Sequence, residues 1–572
     1  MTGFENLKLY QKRSFVPPEA NLLNVEEIKG FFKQLLEREI LCQKDLEQWI
    51  FDRSELEAAL DQEGSILYIR MTCQTDDPKR AEMYKNFIEN IPPAVEPLED
   101  VLNQKHLEHL KSFSLDRTRY EVYNRAIKID VELFRDENVA LEKDLALLSQ
   151  EYQTISGAMT VFFNGEEKTL PQMGQYLLEP DRALRESAWR ETAKRRLKDK
   201  DRLEEIFQKM VELRHKIAQN AGYPNYSVYK FQELHRFDYT PKECKSYHAV
   251  VEKEVLPLWI KILNKRRQDM KLETLRPWDL AVDVLARPPL KPFERVEDLI
   301  EGCRNIFRQM DPQLGEMFLE MSEEKLLDLE SRKGKAPGGY QSTLNEFRKP
   351  FIFMNAVGID QDVRTLLHES GHAFHALLCA KDPLVSYRHA PMEFCEVASM
   401  SMELLGGNFL SQFYPNTEDL KRSHNSQLED MVSILVWVAI VDAFQFWIYE
   451  NPKHSPEERK NAWLAIRKRF SADTVDWSGL KDEESYLWHR QLHIFEVPFY
   501  YIEYAIAQLG ALQIWFNSKN NWDLALRDYK KALSFGGARP LPELFKAAGI
   551  RFDFSRETIA PLVESIGKDL AL

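Results

Sequence analysis

Apolar side chains recur at three- and four-residue spacing through most of the chain, with charged residues between them. The pattern is clearest over residues 28–49, 78–91 and 203–221. Because residues three and four apart share one face of an α-helix, this spacing predicts amphipathic helices. The chain is therefore predicted to be mainly α-helical.

Two stretches depart from helical spacing and predict β-strands. Residues 155–170 carry β-branched and aromatic side chains up to Asn164-Gly165, a dipeptide typical of tight hairpin turns. Residues 338–357 contain two further runs of this kind, and the first opens with Gly338-Gly339. We therefore expect a hairpin near residue 160 and two strands directly before residue 360.

Proline and glycine clusters interrupt these patterns and are interpreted as joints between elements. They lie at residues 92–97, 287–292, 334–339 and 536–542. The length of 572 residues exceeds one ordinary hydrophobic core, so two or three lobes are expected.

Charge and composition exclude several classes of function. The formal net charge of -14 argues against a nucleic-acid partner, because phosphate binding needs a dense basic surface. The amino terminus lacks the apolar core of a signal peptide. Asp442 and Gln445 interrupt the apolar segment 431–449, which therefore predicts a buried helix and no membrane partner. The six cysteines are scattered, which is typical of reduced thiols in a cytoplasmic protein.

A metal-binding pattern follows the predicted strands. Residues 365–375 contain His368, Glu369 and His372 in the spacing H-E-x-x-H. On a helix, residues four apart lie on one face, so both imidazoles can point at one ion, and zinc suits these ligands. Glu369 adjoins the first ligand and can accept a proton from an attacking water. The alternative is a helix with two ordinary histidines and a surface glutamate.

The third ligand distinguishes the classes of zinc peptidase. A metzincin requires glycine and histidine at the positions that His375 and Leu378 occupy here, so that class is excluded. A glutamate on a following helix remains. The candidates are Glu393, Glu396 and Glu403. Residues 397–399 are small enough for this helix to approach the histidine helix closely, and glutamates that are not ligands could hydrogen-bond a ligand imidazole.

The segments 368–375 and 394–399 together resemble the oligoendopeptidase F branch of the thimet oligopeptidase superfamily, which includes the Pz-peptidases. The resemblance is strong from about residue 190 onward and weak before it. It implies that the glutamate of the F-x-E-x-x-S pattern, Glu396, is the third zinc ligand. It also implies oligopeptide substrates and a two-lobed helical fold with a deep channel.

The same resemblance implies a second group of site residues near the carboxyl end. Residues 497–504 are also similar to angiotensin-converting enzyme, a more distant relative. By that match His493 and Tyr504 would stabilise the transition state, and Tyr501 would contact substrate. An extra residue between His493 and the tyrosines leaves the assignment among Tyr500, Tyr501 and Tyr504 open. The alternative is an aromatic core helix.

Gly338 and Gly339 resemble the start of the edge strand that lies beside the zinc helix in this family. An exposed edge can hold an extended peptide through main-chain hydrogen bonds, and glycine lets another backbone come close. The alternative is a plain flexible loop.

These observations predict a mainly α, two-lobed zinc metallopeptidase with a deep substrate channel and a small β-sheet next to the zinc helix. The expected divisions are an amino-terminal helical lobe over 1–110, a linker region with the hairpin over 111–190, and a catalytic domain over 191–572. The expected activity is endopeptidase cleavage of short unfolded oligopeptides. A peptidyl-dipeptidase or carboxypeptidase on the same scaffold, and a non-catalytic metal-binding scaffold, remain alternatives. Monomer and homo-oligomer are both open.

Overall fold

The computed structural model describes residues 3–471 and 473–572, and most of them are helical. The α-helices are α1 Val25–Glu37, α2 Gln43–Cys73, α3 Pro78–His109, α4 Arg117–Leu133, α5 Asp136–Gly157, α6 Leu170–Gln175, α7 Arg182–Leu197, α8 Lys200–Asn220, α9 Tyr226–Glu233, α10 Pro241–Val250, α11 Leu256–Asp269, α12 Val296–Met310, α13 Pro312–Glu323, α14 Asp360–Cys379, α15 Met392–Gly407, α16 Thr417–Glu450, α17 Pro456–Ser471, α18 Lys481–Ser485, α19 Leu492–Glu496, α20 Ile502–Asn520, α21 Trp522–Leu533, α22 Leu541–Ala547 and α23 Arg556–Asp569. The strands are β1 Thr160–Phe163, β2 Glu166–Thr169, β3 Leu327–Glu330, β4 Tyr340–Leu344 and β5 Lys349–Ala356. The prediction of a mainly α protein is confirmed.

The chain forms two compact units, each assembled from separated segments. The first unit comprises the residues up to Glu132, Leu290–His424 and Ile506–Phe552. The second unit comprises Leu133–Pro289, Asn425–Ala505 and Asp553–Leu572.

The predicted hairpin is present in the second unit. Strands β1 and β2 pair antiparallel, with Phe163 opposite Glu166. Asn164 and Gly165 form the turn with φ of 53° and 85°, the left-handed backbone that a two-residue hairpin loop requires.

The two strands predicted from residues 338–357 are also confirmed, and they belong to a three-stranded sheet in the first unit. Strand β5 is central, parallel to β3 and antiparallel to β4, so β4 lies at an edge. This sheet packs against α14. At Gly339, just before β4, an added methyl group would lie 3.5 Å from Cγ2 of Thr365.

The prediction of one continuous helix over residues 28–49 is wrong, since α1 ends at Glu37 and α2 begins at Gln43. Polar side chains satisfy the backbone at both ends of the break. Lys105 donates to three carbonyls at the end of α1 over 2.6–3.1 Å. Asp45 accepts the backbone N–H groups of residues 41 and 42 at 3.1 Å. Such capping stabilises two helix ends where periodicity alone suggests one helix.

The prediction of a joint at residues 92–97 is also wrong, because Pro92, Pro93 and Pro97 lie inside α3. A proline has no N–H, so the carbonyls of Ile88, Glu89 and Pro93 lose their helical partners. Those three residues are exposed, and water can therefore satisfy their carbonyls. The other clusters fall between elements, except that Leu541 and Pro542 begin α22.

Helix α16 contains the apolar segment 431–449. The helix is long and apolar enough to cross a membrane by length and composition, but 72% of its most apolar window is buried inside the protein. Two polar residues in this segment have buried partners. Asp442 lies 2.7 Å from Nε2 of His248, and Gln445 accepts the backbone N–H of Phe499 at 2.8 Å. This is the arrangement of a core helix whose buried polar residues each have a partner, although Oδ1 of Asp442 and Nε2 of Gln445 have none among the described residues.

Candidate active site

Helix α14 and helix α15 in the first unit bring three potential metal ligands to one point. One ligand atom from each of His368, His372 and Glu396 lies within 4.8 Å of the other two. Oε2 of Glu396 is 3.4 Å from Nε2 of His368 and 3.8 Å from Nε2 of His372. Two imidazole nitrogens and one carboxylate oxygen are the donor set that zinc takes when a fourth position stays open. The residues therefore fit the ion that the sequence predicts.

The close approach of the two helices depends on Gly371 as well as on the small residues of α15. A methyl group on Gly371 would lie 2.6 Å from Cα of Ser399 and 2.7 Å from the carbonyl oxygen of Ala398. Because both atoms belong to backbone, neither could move aside alone. Tyr529 holds the same part of α15 by donating to the Ala398 carbonyl at 2.8 Å. Gly371 thus allows the carboxylate of Glu396 to reach the imidazoles.

Glu403 orients the first imidazole. Oε1 of Glu403 lies 2.7 Å from Nδ1 of His368. A carboxylate only accepts, so Nδ1 carries a proton, and release of the second ring proton leaves the Nε2 lone pair on the side of Glu396. Glu393, the other glutamate considered for such a role, is buried at the start of α15.

Ser399 orients the ligand carboxylate. Its Oγ donates to Oε2 of Glu396 at 3.0 Å, and it lies one helical turn beyond that residue. From the sequence Ser399 is expected only as a small residue, although it is also the serine of the F-x-E-x-x-S pattern.

The protein groups alone shift the proton affinities of this site strongly. Burial raises the pKa of Glu369 to about 7, and the nearby charge of Glu396 adds to this while His368 opposes it. Burial acts to lower the pKa of His368, but the hydrogen bond with Glu403 and the surrounding carboxylates outweigh it and raise that pKa to about 9. Burial holds the pKa of His372 well below its usual value. A carboxylate that titrates near neutrality can both accept and release a proton.

Strand β4 lies directly beside Glu369. The backbone of Gln341 hydrogen-bonds the Glu369 carboxylate, and Glu369 itself is buried. Gly338 and Gly339 lead into this strand, and Asn355 donates to the Gly338 carbonyl at 2.9 Å. Gly338 has a φ of +95°, which favours glycine. The two glycines therefore lie at a bend beside α14, which the hydrogen bond from Asn355 stabilises.

His375 lies one turn beyond His372 and outside the ligand group. It is buried, and its ring centroid is 6.1 Å from that of Phe394. Among the residues that the structure describes, its Nε2 atom has no hydrogen-bond partner.

The second unit brings together all four candidate residues of the carboxyl-terminal group. The ring of His493 lies 5.8 Å from Tyr500, 4.9 Å from Tyr501 and 5.8 Å from Tyr504, between centroids. The hydroxyl of Tyr504 is 3.4 Å from Nε2 of His493. Residues that the sequence separates by a turn and a short helix thus form one polar aromatic cluster.

A chain of hydrogen bonds fixes the tautomer of His493. Nε1 of Trp437 can only donate, and it donates to Oε1 of Gln491 at 3.1 Å. This leaves the amide nitrogen of Gln491 as the donor to Nδ1 of His493 at 2.9 Å. Nδ1 is therefore the acceptor, so the neutral ring carries its proton on Nε2, on the side of Tyr504. Burial lowers the pKa of His493 and favours this neutral form.

Sequence reasoning missed Trp437 and Gln491. Gln491 precedes His493 by two residues and could have been suspected from that proximity. Trp437 lies on α16, 54 residues from Gln491, and no local pattern connects the two.

The start of α20 is fixed by a buried ion pair. Arg236 donates to Oε1 of Glu503 at 2.6 Å, and the side chains are 1% and 4% exposed. Glu503 directly precedes Tyr504, so this pair holds the backbone from which the tyrosine projects.

Comparison with known proteins points to one family. The model of Peptidase family M3 matches residues 175–563, and that of the Peptidase M3 N-terminal domain matches residues 15–134. An oligoendopeptidase F homolog of Borreliella burgdorferi is 26% identical over 52% of this chain and 51% of its own length, so the chain spans about half of that relative. The oligopeptidase PepF of Bacillus subtilis is 22% identical over 77% of this chain and 67% of its own length. The structure of Pz peptidase A with an inhibitor superposes with a TM-score of 0.86 at 28% identity, covering 98% of this chain and 99% of that one. The predicted resemblance is confirmed.

Proposed function

Because the chain belongs to Peptidase family M3, we propose that it is a zinc-dependent endopeptidase that hydrolyses internal bonds of short unfolded oligopeptides. The observation that carries this proposal is the convergence of His368, His372 and Glu396 on one point, with the buried Glu369 next to it. A purely structural zinc site needs no neighbouring base and is usually closed by a fourth protein ligand. The arrangement therefore supports catalysis better than a scaffold.

In this proposal His368, His372 and Glu396 hold one zinc ion, with Glu403 and Ser399 orienting two of these ligands. When bound, zinc supplies a Lewis acid that lowers the pKa of water and polarises a carbonyl group. Glu369 accepts the proton of the attacking water and later delivers it to the leaving amine. Burial raises the pKa of Glu369, which makes its carboxylate a better proton acceptor.

We further propose that His493 and Tyr504 donate hydrogen bonds to the oxyanion that develops during attack. The Nε2–H tautomer of His493 supports this role, because only a protonated nitrogen can donate. Tyr501, and Tyr500 as the alternative, would contact the substrate backbone. The edge strand β4, which begins after Gly338 and Gly339, would hold an extended peptide by main-chain hydrogen bonds.

Cytoplasmic localisation stays a prediction, as does the absence of nucleic-acid and membrane partners. The division into an amino-terminal lobe, a linker region and a catalytic domain at residues 110 and 190 stays a prediction. A deep channel that excludes folded proteins is likewise a proposal. It is tested by comparing the digestion of a folded protein with the digestion of its unfolded form.

Cleavage of an internally quenched peptide, with the products identified by mass spectrometry, tests the proposed activity. Internal cleavage that stops with a chelator, returns with zinc and is absent in Glu369→Gln would support it. Glu316→Gln, an exposed residue of α13, is the matched control and should cleave normally. Two-residue products from the carboxyl end would indicate a peptidyl-dipeptidase. Bound zinc without cleavage of any peptide would contradict the peptidase and favour a metal-binding scaffold.

A further inference from the structure

The second unit contains a cavity that the proposed mechanism does not use. Its volume is about 310 Å³, and tryptophans form much of its wall. These are Trp189, Trp259, Trp437 and Trp477. A pocket of this size with aromatic walls and few polar groups has the usual character of a ligand site.

Two arginines supply the charged groups of this cavity. The guanidinium of Arg490 lies 5.6 Å from the ring centroid of Trp437, and that of Arg467 lies 5.1 Å from Trp477. Arg467 contacts Glu484 at 3.3 Å, but its Nε atom has no partner among the residues that the structure describes.

Arg490 carries an uncompensated charge. Within residues 3–471 and 473–572, its guanidinium forms no ion pair with a carboxylate. Arg490 is an exposed residue of the cavity wall, and its guanidinium is a cation at neutral pH. A guanidinium that lines a concave, aromatic surface without an acidic partner can bind an anion through paired N–H donors.

We propose that this cavity binds the carboxyl-terminal residue of a peptide, with a large apolar side chain among the tryptophans and the terminal carboxylate on Arg490. Charge complementarity favours this occupant, because the arginines would repel a cation and the main chain of an internal peptide segment carries no charge. The peptide's role as substrate or product rests on the proposed function, but its binding does not. Trp437 lines the cavity and also donates to Gln491, which in turn donates to His493. The occupant would therefore contact the first residue of this series of hydrogen bonds.

Calorimetric titration of the zinc-loaded Glu369→Gln protein tests this binding without cleavage. The ligands are short peptides of one sequence that end in phenylalanine as the free acid, in phenylalanine as the amide, or in glycine as the free acid. The phenylalanine acid should bind roughly tenfold or more tightly than its amide, as expected for a hydrogen bond to a charged group, and more tightly than the glycine acid.

In the Glu369→Gln protein, a further Arg490→Gln substitution should abolish the preference for the free acid over the amide. Arg490→Lys at the same position should retain part of that preference. Arg295→Gln removes the same charge from an exposed position in the first unit and should leave the preference intact. Equal binding of acid and amide, equal binding of phenylalanine and glycine acids, or an unchanged preference in Arg490→Gln would overturn the proposal. A free carboxylate could also bind the open position of the zinc site, so the acid and amide titrations are repeated on metal-free protein. A preference for the acid that is absent without zinc would overturn the proposal, and this comparison needs no arginine variant. Wild-type protein that cleaves no peptide would contradict the proposed function and leave this result standing.

Discussion

Glu403 lies 2.7 Å from Nδ1 of His368, on the side of the imidazole opposite the nitrogen that approaches Glu396. This contact orients the ring and keeps a proton on Nδ1 before any ion arrives. Carboxylates in this relation to a ligand histidine raise its basicity and limit its rotation. The affinity of the proposed zinc site should therefore depend on a residue that is not itself a ligand.

Glu403→Gln should weaken zinc binding by about 10- to 100-fold, the usual effect of losing such a partner. Competition with a zinc-buffering chelator would measure the change, and circular dichroism would confirm that the helices are retained. Glu393→Gln on the same helix is the matched comparison. A larger loss of zinc affinity in Glu393→Gln than in Glu403→Gln would contradict the assignment.

Gly371→Ala should destabilise the first unit and weaken zinc binding together. The added methyl group would lie 2.6 Å from Cα of Ser399, so α14 and α15 must separate. Overpacking of this kind costs about 1–3 kcal/mol, which urea denaturation would detect.

Gly30→Ala provides the control for that substitution. It lies within α1, where a new methyl group meets no atom within 4 Å. Alanine is the better helix former by about 0.5–1 kcal/mol, so this variant should gain stability. Gly371→Ala with wild-type stability and zinc affinity would show that close contact of the two helices is not required.

The sequence predicted that His368 and His372 lie together on one helix face, but it predicted only part of their surroundings. The four-residue spacing of His368 and His372 guarantees a shared helix face, so local geometry was enough. Whether Glu393 or Glu403 hydrogen-bonds an imidazole of α14 depends on how α15 is rotated about its axis relative to α14. The sequence pattern of one helix does not determine that rotation. The link from Trp437 to His493 likewise joins distant segments, so only tertiary structure reveals it.

Two errors in helix boundaries have similar causes. Lys105 caps the end of α1 from another helix, which the pattern of residues 28–49 cannot indicate. Pro92 continues a helix because the carbonyl it leaves unpaired belongs to an exposed residue. In both cases the groups around the backbone, and not the local helix propensity, determine whether the helix ends or continues.

Gln491→Glu should raise the pKa of His493. A carboxylate at this position would favour the imidazolium, whose Nδ1–H it can accept, whereas the amide of Gln491 donates to Nδ1 and favours the neutral ring. The pH profile of kcat/KM should therefore show a limb displaced to higher pH. Gln491→Leu should lower kcat without that displacement. Identical profiles in all three proteins would mean that Gln491 does not control the protonation of His493.

Arg236→Met should destabilise the second unit by about 3–5 kcal/mol, because it leaves Glu503 buried without its cationic partner. The double variant Arg236→Met with Glu503→Leu removes both charges and should recover much of that loss. Urea denaturation of the three proteins would measure the differences. A single variant as stable as the wild type would show that the pair contributes little.

The zinc content of purified protein is the most direct test of the central claim, that His368, His372 and Glu396 hold one ion. Elemental analysis after dialysis against trace zinc should find about one zinc per chain in the wild type. It should find almost none in His372→Asn or Glu396→Gln. His375→Asn, one turn away on the same helix, should keep its zinc if circular dichroism shows it folded. Full zinc content in His372→Asn and Glu396→Gln would contradict the account.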